Sequence, residues 1–191
     1  MSVKPKFQLL CCAALGLAVL NAQASAPSSP PEALQPLLVT LNERLNIGDL
    51  VALTKWDSGK PIQDSPREAQ VIANVRQLAT DRKLDPDDVG QLLAAQMEAN
   101  KLVQYGLLAK WQAAGKAPDT PRPDLAKQIR PHLDELQNRL LQQYADFAPY
   151  RNDPHCASWI AKARGSLAKD KLHELALIRA TGELCSAGLP R

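Results

Sequence analysis

Between Glu32 and Trp56 the apolar residues recur at helical spacing: Leu34, Leu37, Leu38, Leu41 and Leu45, with Val51 following. Residues three and four apart share one face of an α-helix, whereas a strand would need them two apart. A stripe of this length is buried only if other elements pack against it. The rest of the chain supplies helices to do so. Leu, Ala, Gln, Lys, Arg and Glu dominate, and aromatics are only 4%, so residues that favour helices outnumber those that favour strands. The expectation is an all-α fold, a bundle of about six helices in one domain. At 191 residues such a domain can bury a core without metal or multiple disulfides.

Punctuation along the chain sets the elements. The first helix, about Glu32 to Trp56, is interrupted by Gly48, where a kink could form. Asp57-Ser58-Gly59-Lys60-Pro61 reads as a turn. A second helix starts with Ser65 as N-cap, Pro66 in the first turn and Glu68 in the capping-box position, and runs to about Asp81. Asp85-Pro86-Asp87-Asp88 repeats that logic for a third helix reaching about Ala114. Residues 118–123 are a proline-rich loop. A fourth helix covers about Asp124 to Ala148, with Pro131 near its start. Shorter helices over 155–164 and 169–186 complete the domain. Its extent is 32–191, with a core over 32–116 and C-terminal helices over 122–191.

The first 24 residues read as a cleaved signal peptide. Lys4 and Lys6 precede an apolar run from about Phe7 to Leu20, and Ala22-Gln23-Ala24 gives the small-x-small cleavage pattern. The run is short for a membrane span. An uncleaved anchor is the rival reading. A lipoprotein is disfavoured by Leu9-Leu10 ahead of Cys11. Residues 25–31 (Ser-Ala-Pro-Ser-Ser-Pro-Pro) are a flexible lead-in. The segment removed holds two lysines and no acid, so the formal net charge falls from +3 to +1. A nearly neutral protein does not advertise nucleic-acid or membrane binding. An anion must therefore be held by a local cluster. Export places the chain in the periplasm or outside the cell, an oxidising setting in which Cys156 and Cys185 read as one disulfide, with two free thiols the alternative.

Gly-rich phosphate loops, nucleophile elbows and metal-spaced His or Cys clusters are missing. His132, His155 and His173 are far apart in sequence and read as surface or capping residues. Cations and amides at helical spacing remain. Arg44 and Lys55 are 11 residues apart, close to three turns, so an unbroken helix would put them on one face. Asp64, Arg67 and Glu68 cluster at one helix start. Gln96, Asn100 and Gln104 follow i, i+4, i+8 spacing, and Arg130 opens another helix. Each also has a structural reading as a surface ion pair, a cap or a wet helix face.

Their order changes the balance. Glu43-Arg44-Leu45, Val51-Ala52-Leu53-Thr54-Lys55-Trp56, Pro61-Ile62-Gln63-Asp64-Ser65-Pro66-Arg67-Glu68, and Gln96-Met97-Glu98-Ala99-Asn100-Lys101 with Gln104 together resemble the AroQ-class chorismate mutases, in particular their exported gamma subclass. The resemblance is most specific over about 43–111. It implies the helical fold of that class, a homodimer with a complete site in each chain, chorismate as substrate, prephenate as product in aromatic amino acid biosynthesis, and no cofactor or metal. The substrate is a dianion that rearranges in one unimolecular pericyclic step. The protein has to hold a chair-like conformer and stabilise charge growing on the ether oxygen.

By the same resemblance Arg44 clamps a carboxylate, and Lys55 and Gln104 donate to the ether oxygen. Asp64 and Glu68 face the ring hydroxyl, Arg67 helps position the substrate, Asn100 contacts a carboxylate or hydroxyl, and Arg130 is the second carboxylate clamp. Placing Arg130 there requires one extra residue between Asp124 and Asp134, and Arg139 and Arg122 are the substitutes. Some family members carry Glu where this chain has Gln104. A lyase on the same fold that removes pyruvate from isochorismate, and a non-catalytic helical binding protein, are the competing readings.

Overall fold

The structure is a computed structural model that describes residues 29–186. The expected signal segment over 1–24 lies outside the described residues, as does most of the lead-in. Six α-helices occur among the described residues: α1 Leu34–Ser58, α2 Ser65–Asp81, α3 Pro86–Ala114, α4 Arg130–Phe147, α5 Cys156–Arg164 and α6 Lys171–Ala180. None of the described helices is long and apolar enough to cross a membrane.

Helix α1 is the spine, packed by α3, α4 and α6. Its N-terminal leucines, Leu34, Leu37, Leu38 and Leu41, are buried against Val75 and Ala79 of α2, Leu92 and Leu93 of α3, Tyr144 and Phe147 of α4, and Ile160 of α5. Removing such a leucine side chain costs about 2–5 kcal/mol. At the far end Trp56 and Trp111 meet edge to face with centroids 6.1 Å apart. The apolar stripe thus serves as a core at both ends of α1, and the polar residues between them are left to face a cavity.

Four local expectations change. Gly48 does not kink α1, which is continuous from Leu34 to Ser58. The cap of α2 is Asp64, not Ser65: the Asp64 carboxylate accepts the Arg67 N–H at 3.3 Å, and the Asp64 N–H donates back to Glu68 at 3.2 Å. The box closes one residue earlier than expected because Asp is as good a cap as Ser, and the Ser65 hydroxyl instead accepts from Gln63. The fourth helix opens with a π turn, Leu125–Ile129, in which the Ile129 N–H reaches five residues back to the Asp124 carbonyl at 3.1 Å. Pro131 has no N–H to give and its ring would press on the carbonyl four residues before it, and the wider turn relieves that clash. Finally α6 ends at Ala180, not 186, where the Thr181 hydroxyl turns back onto the Leu177 carbonyl at 2.8 Å.

One histidine is not at the surface. His173 is 1% exposed, with Nδ1 2.8 Å from Asp170 and Nε2 2.9 Å from Asp49. It ties α6 to α1. Burial works against the Asp170 charge, but the backbone and ring N–H of His173 outweigh it and hold that carboxyl below its usual range. Cys156 and Cys185 are joined as a disulfide.

Candidate active site

The continuity of α1 puts Arg44 and Lys55 on one face, three turns apart, with Val51 between them. The left-handed Gly59 ends the helix, its N–H returning to the Lys55 carbonyl. The Lys55 ammonium donates to the Pro61 carbonyl at 2.7 Å, which fastens the 59–64 loop beside α1. That loop delivers Asp64, Arg67 and Glu68 at the start of α2. From α3, Lys101 reaches the other Glu68 oxygen at 2.9 Å and Glu98 at 2.8 Å. Burial opposes the Lys101 charge, yet its hydrogen bonds to Glu98 and Glu68 prevail and hold the ammonium above its usual range.

These elements enclose a cavity of about 220 Å³. All eight residues given a substrate role from sequence line it: Arg44, Lys55, Asp64, Arg67, Glu68, Asn100, Gln104 and Arg130. Arg130 is the first residue of α4, directly after the π turn Leu125–Ile129. The two substitutes go elsewhere. Arg139 pairs with Glu43. Arg122 bonds Asp57 at 3.0 Å and the Pro118 carbonyl at 2.8 Å. A larger groove of about 770 Å³, between α1, α3 and the proline-rich loop, is lined by Arg122, Trp111 and Leu50 but by none of the eight. The smaller cavity is the one at which charged and amide side chains converge, and that convergence makes it the candidate site.

The lining holds five cations, adding Lys101 to Arg44, Lys55, Arg67 and Arg130, against three carboxylates, Asp64, Glu68 and Asp134. The excess is positive, and two of the three net positive charges of the whole chain would be accounted for here alone. Arg44 is the most demanding member. It is 9% exposed, and burial pushes its guanidinium down to about 10, with Asp134 acting in the opposite sense. One terminal nitrogen donates to the Leu133 carbonyl at 2.9 Å, while Nε is buried with no partner. A buried guanidinium with a spare donor is a site for an anion, best a carboxylate that can take two parallel bonds.

The amide stripe divides by role. Gln96 donates to the Ala180 carbonyl of α6 at 2.9 Å, a structural tie. Asn100 donates to the Arg44 carbonyl at 3.2 Å and accepts from Gln104 at 2.7 Å. Lys101, Asp134 and Gln137 also line the cavity and were given no role from sequence. Lys101 could have been found, since Met97, Lys101 and Gln104 at i, i+4, i+7 form a second stripe beside the amide stripe. Apolar walls come from Val51, Ile62, Val71, Leu125 and Leu133.

Comparison with known proteins agrees. Residues 35–105 match the family model described as chorismate mutase type II. The chain is 32% identical to the secreted chorismate mutase of Mycobacterium tuberculosis, across 85% of this chain and 86% of that one. Among solved structures it superposes on a chorismate mutase from Burkholderia phymatum with a TM-score of 0.78, at 44% identity over 80% of this chain and 96% of that chain. A chorismate mutase from Burkholderia thailandensis gives 0.78 at 35% identity over 81% of this chain and all of that one. Helical architecture, cationic cavity, and likeness over most of the length lead to one assignment: the chain belongs to the type II chorismate mutase family.

Proposed function

We propose that this protein is an isomerase that converts chorismate to prephenate by intramolecular rearrangement. The observation that carries the reading is the buried Arg44, with a spare donor, facing Lys55, Gln104 and Arg130 across one small cavity. Arg44 and Arg130 each take a substrate carboxylate, which draws the enolpyruvyl arm over the ring and fixes the reactive conformer. Lys55 and the second N–H of the Gln104 amide point at the ether oxygen, where negative charge grows as the C–O bond breaks and a new C–C bond forms. Asp64 and Glu68 lie where the ring hydroxyl is placed, with the Glu68 charge balanced by Lys101. Arg67, at the same helix start, adds positive charge for positioning, and Asn100 lies beside Gln104. Bonds reorganise within one molecule, so these residues bind, orient and stabilise, and no proton needs to be exchanged.

Purified protein incubated with chorismate, with products separated, tests this directly. Prephenate is the expected product. Release of pyruvate from isochorismate with no turnover of chorismate would move the assignment to a lyase on the same fold, and no turnover of either by folded protein would leave a binding protein.

The amide at position 104 sets the pH behaviour. Gln donates in the same way across the whole range. The rate should therefore change less than about three-fold between pH 5 and 8, because Gln104 has no proton to lose. In a Gln104→Glu variant only the protonated carboxyl donates, so its rate should fall roughly ten-fold per pH unit once the pH exceeds the carboxyl pKa. Parallel pH–rate profiles check this, and a wild-type rate that falls steeply over the same interval would contradict the assignment of Gln104.

Export to the periplasm or beyond, with removal of residues 1–24, is part of the same reading. It is supported by the relatives named as secreted and by a disulfide of the kind that oxidising compartments favour. Assembly as a homodimer, with every lining residue of each site drawn from one chain, rests on the family resemblance.

A further inference from the structure

Glycine is a poor helix former, yet Gly48 lies buried in the middle of the unbroken α1. No turn or positive φ requires it there, since the positive-φ glycines are Gly59 and Gly115. What requires it is a close approach. A Cβ on residue 48 would lie 3.1 Å from Asn100 Nδ2 and 3.4 Å from both Cγ and Oδ1 of the same amide. All three nearest atoms belong to Asn100, so the missing side chain makes room for one group.

That group is oriented by hydrogen-bond logic. The Arg44 carbonyl can only accept, so Asn100 must turn its nitrogen toward it, at 3.2 Å. The Asn100 oxygen then faces Gln104, and an amide oxygen can only accept, so Gln104 must present its nitrogen, at 2.7 Å. Gln104 is buried, and its own oxygen has no partner. Among the described residues the bond to Asn100 is the one hydrogen bond its side chain makes. Both ends of the Asn100 amide are thus committed to protein groups.

We propose that Gly48 is a positioning residue for the rearrangement. By carrying no side chain it lets the Asn100 amide lie against α1, and Asn100 in turn holds the nitrogen of Gln104 in register with the cavity. A methyl group at position 48 displaces the Asn100 amide by a few tenths of an ångström. At 2.7 Å the next bond has no slack to absorb that, so the shift passes to the Gln104 donor. Preorganised donors act only at the place where charge develops. The inference rests on the proposed mutase reading.

The test is Gly48→Ala in the protein as exported, assayed for kcat, KM and melting temperature with chorismate as substrate. Alanine improves helix propensity, so a glycine with a structural role alone predicts unchanged kcat and an unchanged or higher Tm. Positioning predicts that kcat falls about ten-fold, with KM changed less than about two-fold and Tm not lowered, since only part of one donor's effect is lost. The same substitution in an Asn100→Ala background should have no further effect on kcat, because the relay is already cut. A kcat within two-fold of wild type in Gly48→Ala, or an equal fall in both backgrounds, overturns the proposal. If the single variant does not fold, Asn100→Ala alone decides: holding Gln104 through this amide requires its kcat to fall, and a kcat within two-fold of wild type overturns the proposal. Failure of the wild type itself to turn over chorismate would strike the mutase reading, and the proposal with it, whereas active wild type with an unaffected Gly48→Ala variant strikes the proposal alone.

Discussion

Replacing Lys55 by alanine is expected to lower kcat by about 10²–10³-fold or more while leaving the melting temperature nearly unchanged. Loss of one preorganised donor at a developing oxyanion typically has this effect. Lys55 sits in the last turn of α1 and is half-buried, and its ammonium makes one hydrogen bond to protein, to the Pro61 carbonyl. Pro61 is exposed, so water replaces that bond at little cost to folding. Lys55→Arg is the informative companion. It keeps the charge but spreads it over a planar fork that cannot occupy the same point, so it should recover less than a tenth of the lost rate if position matters as well as charge, an order-of-magnitude expectation. Steady-state kinetics beside thermal melts measure both. A Lys55→Ala protein with near wild-type kcat would remove Lys55 from the chemistry, and an adaptor protein would show no such dependence.

The second large effect is on stability. Changing Cys156 and Cys185 together to alanine should lower the unfolding free energy by roughly 3–4 kcal/mol. The bridge spans 29 residues, and the chain-entropy model gives about that value for a loop of this size. For a domain of this length the shift corresponds to a drop in Tm on the order of 10 °C. Cys156 is fully buried at the first turn of α5, and Cys185 follows the end of α6. Just before Cys156, Arg151 fastens the tail, donating to the Leu184 carbonyl at 3.1 Å and the Glu183 carbonyl at 3.2 Å and pairing with Asp88. These groups lie away from the cavity, whose lining comes from residues 44–137. The variant should therefore keep wild-type kcat below its melting temperature. Denaturant unfolding of oxidised wild type against the double variant reads the difference, and coincident midpoints would show that Arg151 and the surrounding core already hold the tail.

The sequence was most readable where one physical signal dominated. Leucine spacing placed α1, and Asp85-Pro86 placed the start of α3. Arg44 and Lys55 could be set on one face as soon as the helix between them was continuous. Where two signals compete at neighbouring positions, the sequence alone does not choose. Asp64 and Ser65 are both good caps, and the choice fell to Asp64 because Glu68 closes the box onto its N–H. His173 reads as a polar surface residue until Asp49, 124 positions away, supplies its second partner. Pro131 marked a disturbance in the fourth helix but not its form. Lys101 stood in the recognised motif without a role, because its pairing with Glu68 of α2 is a tertiary event. Asn100 shows the same limit in finer detail: its spacing put it on the site, while the reason it fits lies in the atoms that Gly48 lacks.

The wide turn over Leu125–Ile129 has a consequence for how such a chain can change its length. Adding a residue to a regular α-helix rotates everything after it by about 100°, which would turn Arg130 and the buried leucines of α4 away from their places. A residue added within a π turn is confined to that turn, so the downstream faces are preserved. The proline-rich segment before the turn can lengthen or shorten, and its attachment to α4 can shift by one position, while the arginine that closes the cavity stays where it is. Insertions and deletions in this branch of the family are therefore expected to collect just ahead of that arginine, with its own register left intact.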